Sequence, residues 1–370
     1  MKILSIDTMV TKLPILTGEW CDTIHHVTHI ELVIVDVRTD TGITGTGMSH
    51  TSGSGGMTIE SLVRDTLAPH LIGREVSPRA IWHESWRFLH DLGGAGLTTT
   101  ALGALDIALW DAVAKEAGKP LVELLGRVHE KMPVYGSGIN LDMSLDELLE
   151  QVKGWLRIGY RGIKVKVGKS DIAEDVERLT RVRELIGRLP LMVDANQGWG
   201  PELAPRRING LDGLDLTWVE EPLLSDDVAG HGRLRRQIKT PIAVGENLYN
   251  IFQFRDYLVA GGIDFVQADI IRVGGITPYM EIAALAQAFN RPMAPHFTLE
   301  LSAQVLCCLP NAYIAEDVEG GSLSALKALK NPMTVVNGYI TPSDVPGHGL
   351  VWDRDYIQQH RVDATPRVAG

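Results

Sequence analysis

The sequence predicts an α/β protein: a (β/α)8 barrel of the TIM type, preceded by a smaller α+β domain. Short apolar runs recur through the middle of the chain, and three of them end in Asp194, Glu220 and Glu246, with an interval of 26 residues both times. A strand, a helix and two loops fill about that length in a βα unit. The chain has 370 residues. Because such a barrel takes only about 200 to 250, a second domain is expected.

Residues 1–125 have the pattern of an α+β capping domain. Apolar alternation predicts three strands, at Ile3 to Val10, Ile30 to Arg38 and Ile43 to Met48. The last two are joined by Thr39-Asp40-Thr41-Gly42, which is a turn signal. Helical stretches follow. The clearest, from about Thr99 to Ala117, has apolar residues at helical spacing and ends before Gly118 and Pro120.

Two loops of this domain are predicted to be mobile segments over the barrel mouth. They run from Thr17 to His29 and from His50 to Met57, and both carry glycine and polar residues. His25 and His50 are their candidate substrate-binding residues. The glycine-rich run at 52–56 is not followed by Gly-Lys-Ser/Thr, so a lid is favoured over a phosphate-binding loop.

Residues 126–322 contain the other barrel strands, on both sides of the acidic residues. The first strand includes Val134. The second, Gly162 to Gly168, places Lys164 and Lys166 on one face, because strand side chains alternate. The later strands are predicted at Asp264 to Asp269, Pro292 to His296 and Tyr313 to Glu316. Their polar ends meet at the C-terminal face, where barrels of this type hold active sites.

The segment 323–370 shows no further βα repeat. Thr334 to Val336 and Leu350 to Trp352 have the pattern of short strands among turns. We expect this tail to return to the capping domain and complete it.

The three evenly spaced carboxylates favour a metal site. Unpaired anions gathered at one barrel mouth would repel one another, whereas a hard divalent ion takes oxygen ligands and keeps positions open for water or substrate. A lone acidic residue at a strand end is more often a helix cap or a surface charge. Three in register with two lysines predict a Mg²⁺ site made by Asp194, Glu220 and Glu246, with Mn²⁺ as a substitute.

Composition excludes several other classes of protein. The net charge of −11 argues against nucleic acid as a partner, because phosphate binding needs a basic surface. The cysteines, Cys21, Cys307 and Cys308, show no Cys-x-x-Cys spacing, so neither a disulfide framework nor a zinc site is indicated. No apolar run approaches the ~20 residues of a membrane helix. We expect a cytoplasmic protein that acts on a small molecule.

In their order along the chain, the motifs resemble those of the enolase superfamily, mandelate racemase subgroup. The segments concerned are 101–111, Leu121 to Gly126, Lys164-Val165-Lys166, Val193-Asp194-Ala195-Asn196, Glu220-Glu221-Pro222, Gly245-Glu246-Asn247, Arg272-Val273-Gly274-Gly275 and Pro295-His296-Phe297. The resemblance spans nearly the whole chain. Within the subgroup the chain is most similar to acid-sugar dehydratases of the galactarate and talarate type.

The resemblance implies roles for individual residues. Lys166 would be a base on one face of the substrate, and His296 paired with Asp269 would act on the other face. Lys164 would lie beside the substrate carboxylate, and Asn196 would contact the α-hydroxyl. Glu316, favoured over Asp317 and Glu319 by strand alternation and family register, would donate a hydrogen bond to the carboxylate, which requires its protonated form.

Simple electrostatics adds two expectations. Neighbouring ammonium groups repel each other, so Lys164 is expected to lower the pKa of Lys166 and let it act as a base. Asp269 is expected to fix the tautomer of His296. A Lys-x-Lys strand alone is usually a solvated face, and these expectations depend on its place in the barrel.

The favoured function is a Mg²⁺-dependent dehydratase of a hydroxylated carboxylic acid that forms a 2-keto-3-deoxy acid. A racemase or epimerase with the same two bases is the alternative, and a barrel that binds metal and small acids without turnover is the third hypothesis. The segments 17–26 and 49–56 contain neither Lys nor Arg, so a bidentate clamp on a second carboxylate is not expected from them. The resemblance also implies a symmetric homo-oligomer.

Overall fold

The computed structural model describes residues 1–22, 24 and 26–362, so His25 lies outside the described residues. The strands are β1 Ile3–Pro14, β2 Trp20–Cys21, β3 His26–Val27, β4 His29–Thr39, β5 Thr44–Thr51, β6 Met132–Ser137, β7 Ile163–Lys166, β8 Leu191–Asp194, β9 Trp218–Glu220, β10 Ile242–Val244, β11 Phe265–Val266, β12 Ala315–Val318 and β13 Tyr339–Ile340.

The α-helices are α1 Gly56–Ser61, α2 Ala68–Leu71, α3 Pro78–Phe88, α4 Leu97–Glu116, α5 Leu121–Leu125, α6 Leu145–Ile158, α7 Ile172–Ile186, α8 Ala204–Asn209, α9 Val228–Arg235, α10 Ile251–Ala260, α11 Ile276–Ala288, α12 Leu299–Leu306 and α13 Arg354–Gln359. A π-helical turn at Leu62–Leu67 joins α1 to α2, and 3₁₀ turns lie at His90–Leu92 and Asp212–Leu214.

The capping domain is built on an antiparallel sheet of order β1-β4-β5. The predicted strands are present and longer than expected. The apolar helix α4 packs across β4 and β5, and the sheet approaches it closely because β5 carries Gly45 and Gly47. A Cβ at Gly47 would lie 2.0 Å from the backbone oxygen of Ala104, so only glycine fits there.

Helix α4 is the one described helix long and apolar enough to cross a membrane. In its most apolar window, 83% of the residues are buried inside the protein. Its apolar character is therefore that of a core helix.

The predicted second lid is a loop only at residues 52–55. Residues 50 and 51 end β5, and residues 56 and 57 begin α1. The buried carboxylate of Glu31 holds this corner, because it accepts hydrogen bonds from the backbone N–H of Gly56 (2.7 Å) and the hydroxyl of Thr51 (3.1 Å). In the other predicted loop, β2 and β3 form a short antiparallel hairpin. The backbone of Cys21 in this hairpin pairs with that of Asn140 of the barrel in an isolated parallel β-bridge.

Parallel strands form the barrel in the order β11-β10-β9-β8-β7-β6-β12. Between β11 and β12 the seventh position is filled by isolated bridges, Val266 to Met293 and Met293 to Ala312. The segment predicted as a strand at 292–296 therefore occupies the seventh barrel position and pairs with both neighbours, but as isolated bridges rather than a continuous ladder. Pro292 and Pro295 explain this, because each lacks the N–H that a ladder needs.

Seven barrel strands are each followed by a helix, α6 to α12, whereas β12 is followed in the described chain by turns, β13 and α13. The barrel is thus a (β/α)7β variant. The expected strands at 334–336 and 350–352 are only single bridges, Val336 to Tyr339 and Leu329 to Trp352.

The tail contacts the capping domain as expected. Backbone hydrogen bonds join Val362 to Val10 and Lys12 to His360, and Arg354 donates two hydrogen bonds to Asp36 (2.6 and 2.9 Å). The tail therefore lies against the first sheet. The boundaries near residues 125 and 322 stay predictions.

Candidate active site

The three predicted metal ligands lie together at the C-terminal ends of neighbouring strands. Asp194 ends β8, Glu220 ends β9, and Glu246 follows β10. All three are buried, and one carboxylate oxygen from each lies within 4.8 Å of the others. Three oxygens at this spacing suit a hard divalent cation. The even interval in the sequence reflects one βα unit per ligand.

The backbone around the ligands is unusual. Gly245 has φ +152°, and a Cβ there would lie 2.6 Å from the backbone of Gln267, so glycine is required before Glu246. Asn196, Gln197 and Glu221 have φ between 38° and 60°, which is a strained region for residues other than glycine. Such strain is often found at functional sites.

Glu220 is held by partners that sequence reasoning missed. Its Oε2 accepts hydrogen bonds from the side chains of Gln267 (2.8 Å) and Trp218 (3.2 Å), both inside the barrel. Each donor lies two residues before a predicted site residue: Trp218 precedes Glu220 on β9, and Gln267 precedes Asp269 in the segment that directly follows β11. The period of two in a strand could have identified them.

The two lysines lie at the site, and each contacts a carboxylate. The Lys164 ammonium is 2.7 Å from both Glu220 and Glu316. Lys166 donates a 2.5 Å hydrogen bond to Asp194. Both lysines are buried, as the sequence pattern predicts for one face of a barrel strand.

The expected low pKa of Lys166 is not found. Burial lowers it, and Lys164 lowers it further, but the contact with Asp194 outweighs both, so the pKa lies above the usual lysine value. The expected protonated Glu316 is also wrong. Burial raises the pKa of Glu316, but Lys164 and His296 lower it to about 2. Glu316 is therefore ionised at neutral pH and accepts a hydrogen bond from the Phe297 N–H (3.0 Å).

His296 and Asp269 form the expected pair. The Nδ1 atom of His296 lies 2.8 Å from Asp269, and Nε2 lies 3.5 Å from Glu246. Asp269 is fixed by the backbone N–H groups of Ile271 and Arg272. Burial lowers the pKa of His296, but Glu246 and Asp269 outweigh it and raise the pKa above the usual value. The ring therefore carries a proton more readily than a free histidine.

Behind Glu246 lies a second group of side chains, of which sequence reasoning considered Glu221 and Asn247 as orienting or structural groups and gave Arg272 no role. Arg272 donates hydrogen bonds to the Glu246 backbone oxygen (2.9 Å) and to Asn247 (2.7 Å). The Asn247 amide in turn donates to both oxygens of Glu221 (2.9 and 3.0 Å). Burial, with Glu246 nearby, raises the pKa of Glu221 well above its usual value. These residues orient the third metal ligand.

One cavity connects these groups. Its lining includes Lys164, Lys166, Asn196, Glu246, Arg272, His296 and Glu316 from the barrel. His50 also lines it and lies against Phe297, with ring centroids 4.7 Å apart and ring planes tilted by 42°. Trp20, Asp22 and Val27 from the first lid complete the wall. Sequence reasoning did not identify Trp20 as a lining residue, because no periodic pattern in the sequence connects it to the barrel strands.

A closed barrel that presents a carboxylate triad, two lysines and a histidine to one cavity defines a metal-dependent enzyme. Residues 147–356 match the family described as enolase C-terminal domain-like. Residues 8–126 match the mandelate racemase/muconate lactonizing enzyme N-terminal domain. The chain belongs to the mandelate racemase family of the enolase superfamily.

Three of the similar sequences and structures carry three different functional names. A 3,6-anhydro-alpha-L-galactonate cycloisomerase of Streptomyces coelicolor is 35% identical over 94% of this chain and 96% of its own. The structure of a racemase from Streptomyces coelicolor A3(2) with bound magnesium has a TM-score of 0.93 at 34% identity, covering 97% of this chain and 100% of that one. The L-talarate dehydratase of Polaromonas sp. JS666, complexed with Mg and L-glucarate, has a TM-score of 0.89 at 32% identity, covering 98% of each chain.

Proposed function

We propose that this protein is a Mg²⁺-dependent dehydratase of a hydroxylated carboxylic acid, with the removal of an α-proton followed by loss of the β-hydroxyl. The observation that carries the proposal is the placement of two candidate proton-transfer groups around the triad. Lys166 is on the second barrel strand, the metal ligands are on the third to fifth, and His296 follows the seventh. The two groups therefore flank the metal ligands.

Asp194, Glu220 and Glu246 would hold Mg²⁺, which stabilises negative charge on a bound carboxylate. The fit is supported by three buried carboxylate oxygens within 4.8 Å of one another. The Asp194 oxygen that contacts Lys166 cannot fully serve both an ammonium and a divalent cation. Sharing it would weaken the ion pair and favour the neutral amine that a base requires.

Two different side chains, Lys166 and His296, would carry out the two proton transfers. Lys166 Nζ would take the α-proton, and the electron pair of the C–H bond would form the double bond to the carboxylate carbon. Lys164 would neutralise the carboxylate, and Asn196 would contact the α-hydroxyl. The β-C–O bond would then break, with its electron pair leaving on oxygen, and His296 Nε2 would donate the proton that makes water. The resulting enol tautomerises to the 2-keto-3-deoxy acid.

A closely related reaction is a second candidate, favoured by the similarity to the anhydrogalactonate cycloisomerase over nearly the whole chain. In a 3,6-anhydro acid the β-oxygen belongs to a ring. Its loss after α-proton removal opens the ring without release of water, so the product is an isomer of the substrate. The same residues would serve. Racemisation requires only that the enolised acid be reprotonated on the opposite face.

The test is incubation with Mg²⁺ in D₂O against sugar monoacids, diacids, anhydro acids and simple α-hydroxy acids, followed by NMR. Formation of a keto acid supports elimination. A product that is an isomer of the substrate and keeps the former ring oxygen as a hydroxyl group identifies ring opening. Deuteration with inversion and no keto acid would replace the proposal with a racemase. Lys166→Met and Asp269→Asn should each lower the rate by about 10²- to 10⁴-fold, the usual contribution of a general acid or base.

Cytoplasmic location and a homo-oligomeric state remain part of this proposal. Light scattering tests the second, and a monomer would refute it.

A further inference from the structure

The cavity has two chemically different sides. The metal ligands belong to the third, fourth and fifth barrel strands. On the opposite side, residues from the seventh, eighth and first strands join the lid hairpin in a mainly apolar surface, which we call the distal wall. It consists of Trp20, Val27, Ile139, Phe297 and Val318.

The distal wall is a packed structure rather than a chance exposure of apolar residues. Trp20 and Phe297 meet edge to face with ring centroids 6.2 Å apart, a favoured aromatic geometry. Gly321 lies beneath both rings, and a Cβ there would lie 2.8 Å from each of them. The position of Trp20 is fixed by the pairing of β2 with β3, where it lies opposite Val27.

Charge on the two sides differs as well. Among the described lining residues, the lysines and arginines are Lys164, Lys166 and Arg272, and all three are engaged with carboxylates or backbone near the metal ligands. The ionisable residues beside the distal wall are the acids Asp22 and Glu316 and the histidines His50 and His296, whose rings lie against Phe297. A second carboxylate of a substrate would there meet an acid and apolar groups, which disfavour a charge.

Two buried polar atoms in the cavity lining can instead serve hydroxyl groups. The Nδ1 atom of His50 and the Oγ atom of Ser137 are buried and have no hydrogen-bond partner. Burial lowers the pKa of His50 to about 4, so at neutral pH the ring is uncharged. A neutral imidazole and a hydroxyl group can each donate to and accept from a sugar hydroxyl, and neither supplies the positive charge that would pair with a second carboxylate.

We propose that the cavity selects a monocarboxylic sugar acid whose distal end is uncharged and turns a C–H face to Trp20 and Phe297, and that it discriminates against diacids. This inference rests on the proposed function and names its substrate class. Stacking of a sugar C–H face on an aromatic ring also favours a cyclic or compact distal part.

The experiment compares six-carbon acids in matched pairs. An aldonate and the aldarate of the same configuration differ only at C6, which is CH₂OH or carboxylate. Binding in the presence of Mg²⁺ is measured by calorimetry, and turnover is measured by NMR, for the galacto, gluco and manno pairs. The aldonate should bind at least about 10-fold more tightly than its aldarate, the usual size of one charge-assisted contact.

Ser52 allows a gain-of-function test, because it is exposed and lines the cavity. Ser52→Arg should reduce the preference for the aldonate about 10-fold or more by giving the second carboxylate a partner. Ser54→Arg is the matched control, since Ser54 is also exposed and lines a neighbouring cavity instead. Trp20→Ala should weaken aldonate binding, and Trp20→Phe should restore most of it.

Aldarates that bind as tightly as aldonates would overturn the inference, and so would a lack of binding by every pair. Failure of the proposed function alone would look different: aldonates would bind with the stated preference, but neither α-deuteration nor elimination would follow.

Discussion

At the scale of single residues, the support of a metal ligand can be tested at Gln267. Its amide donates to Glu220 from inside the barrel, and groups that orient a ligand typically contribute a factor of 10 to 100 in metal affinity. Gln267→Leu should weaken Mg²⁺ binding by about that factor, as measured by calorimetric titration.

Gln304→Leu is the matched control for Gln267. Gln304 is equally buried, but it donates to the backbone oxygens of Glu300 and His348. Its replacement should lower stability and leave Mg²⁺ affinity unchanged. Equal losses of affinity in both variants would show that Gln267 acts only through the fold.

Sequence reasoning predicted the positions of the main site residues but not the protonation states of two of them. Asp194, Glu220 and Glu246 were predictable because each lies at the end of the strand in one βα unit. Strand alternation also predicts that Lys164 and Lys166 share a face. The protonation states of Lys166 and Glu316 were not predictable. They depend on through-space contacts with Asp194 and Lys164, whose distances the sequence does not contain.

At the scale of elements, the contact between β5 and α4 depends on a missing side chain. Gly47→Ala would place a Cβ 2.0 Å from a backbone oxygen of the helix, so sheet and helix would have to separate. We expect a loss of about 3 kcal/mol or more in the free energy of unfolding, at the upper end for overpacking, as measured by urea denaturation.

Gly154→Ala is the contrasting substitution. Gly154 lies inside α6, where a Cβ would make only an ordinary 3.7 Å contact with Arg157. Alanine should stabilise this helix by about 0.5 to 1 kcal/mol. If Gly154→Ala raised the free energy of unfolding and Gly47→Ala did not lower it, the packing described for the sheet would be contradicted.

The junction of α4 with α11 should respond to pH through Asp106. This buried carboxylate accepts hydrogen bonds from the backbone and hydroxyl of Thr277. Burial raises the pKa of Asp106 to about 7, although those hydrogen bonds oppose the change. The folded state then binds more protons than the unfolded state between about pH 4 and pH 7, so this group reduces stability as pH rises through that range.

Asp106→Asn removes this titration. The free energy of unfolding of the variant should rise relative to the parent between pH 4 and pH 8, by on the order of 4 kcal/mol at most. Trp110→Phe, which removes a donor to Thr277 but keeps the carboxylate, should retain the parental pH dependence. Parallel curves for Asp106→Asn and the parent would refute the assignment.

Elements were predicted well where a local pattern determines them. The apolar alternation of β4 and the helical period of α4 are examples. The seventh barrel strand is reduced to isolated bridges because its prolines interrupt the ladder, and the second lid is shortened to residues 52–55 because Glu31 of β4 fixes its corner. Both differences concern tertiary hydrogen bonds rather than local preference.

At the scale of the whole molecule, the tail and the first sheet should be energetically coupled. Arg354 and Asp36 form a two-pronged ion pair that Thr46 extends, and both side chains are partly exposed. A double-mutant cycle with Arg354→Ala and Asp36→Ala should give a coupling of about 0.5 to 1 kcal/mol. The more exposed pair Arg38 and Asp7 within the same sheet should give a smaller value, and equal couplings would argue against a special role of the tail.

The pairing of Val10 with Val362 also orders events during synthesis. At about 5 to 20 residues per second, roughly 350 residues and on the order of half a minute separate the two partners. The barrel strands leave the ribosome before the last of the capping sheet's partners exists. A nascent chain therefore holds its first strand incompletely paired until Val362 has been added, and a chain released before that point would carry a nearly whole barrel beneath an incomplete capping domain.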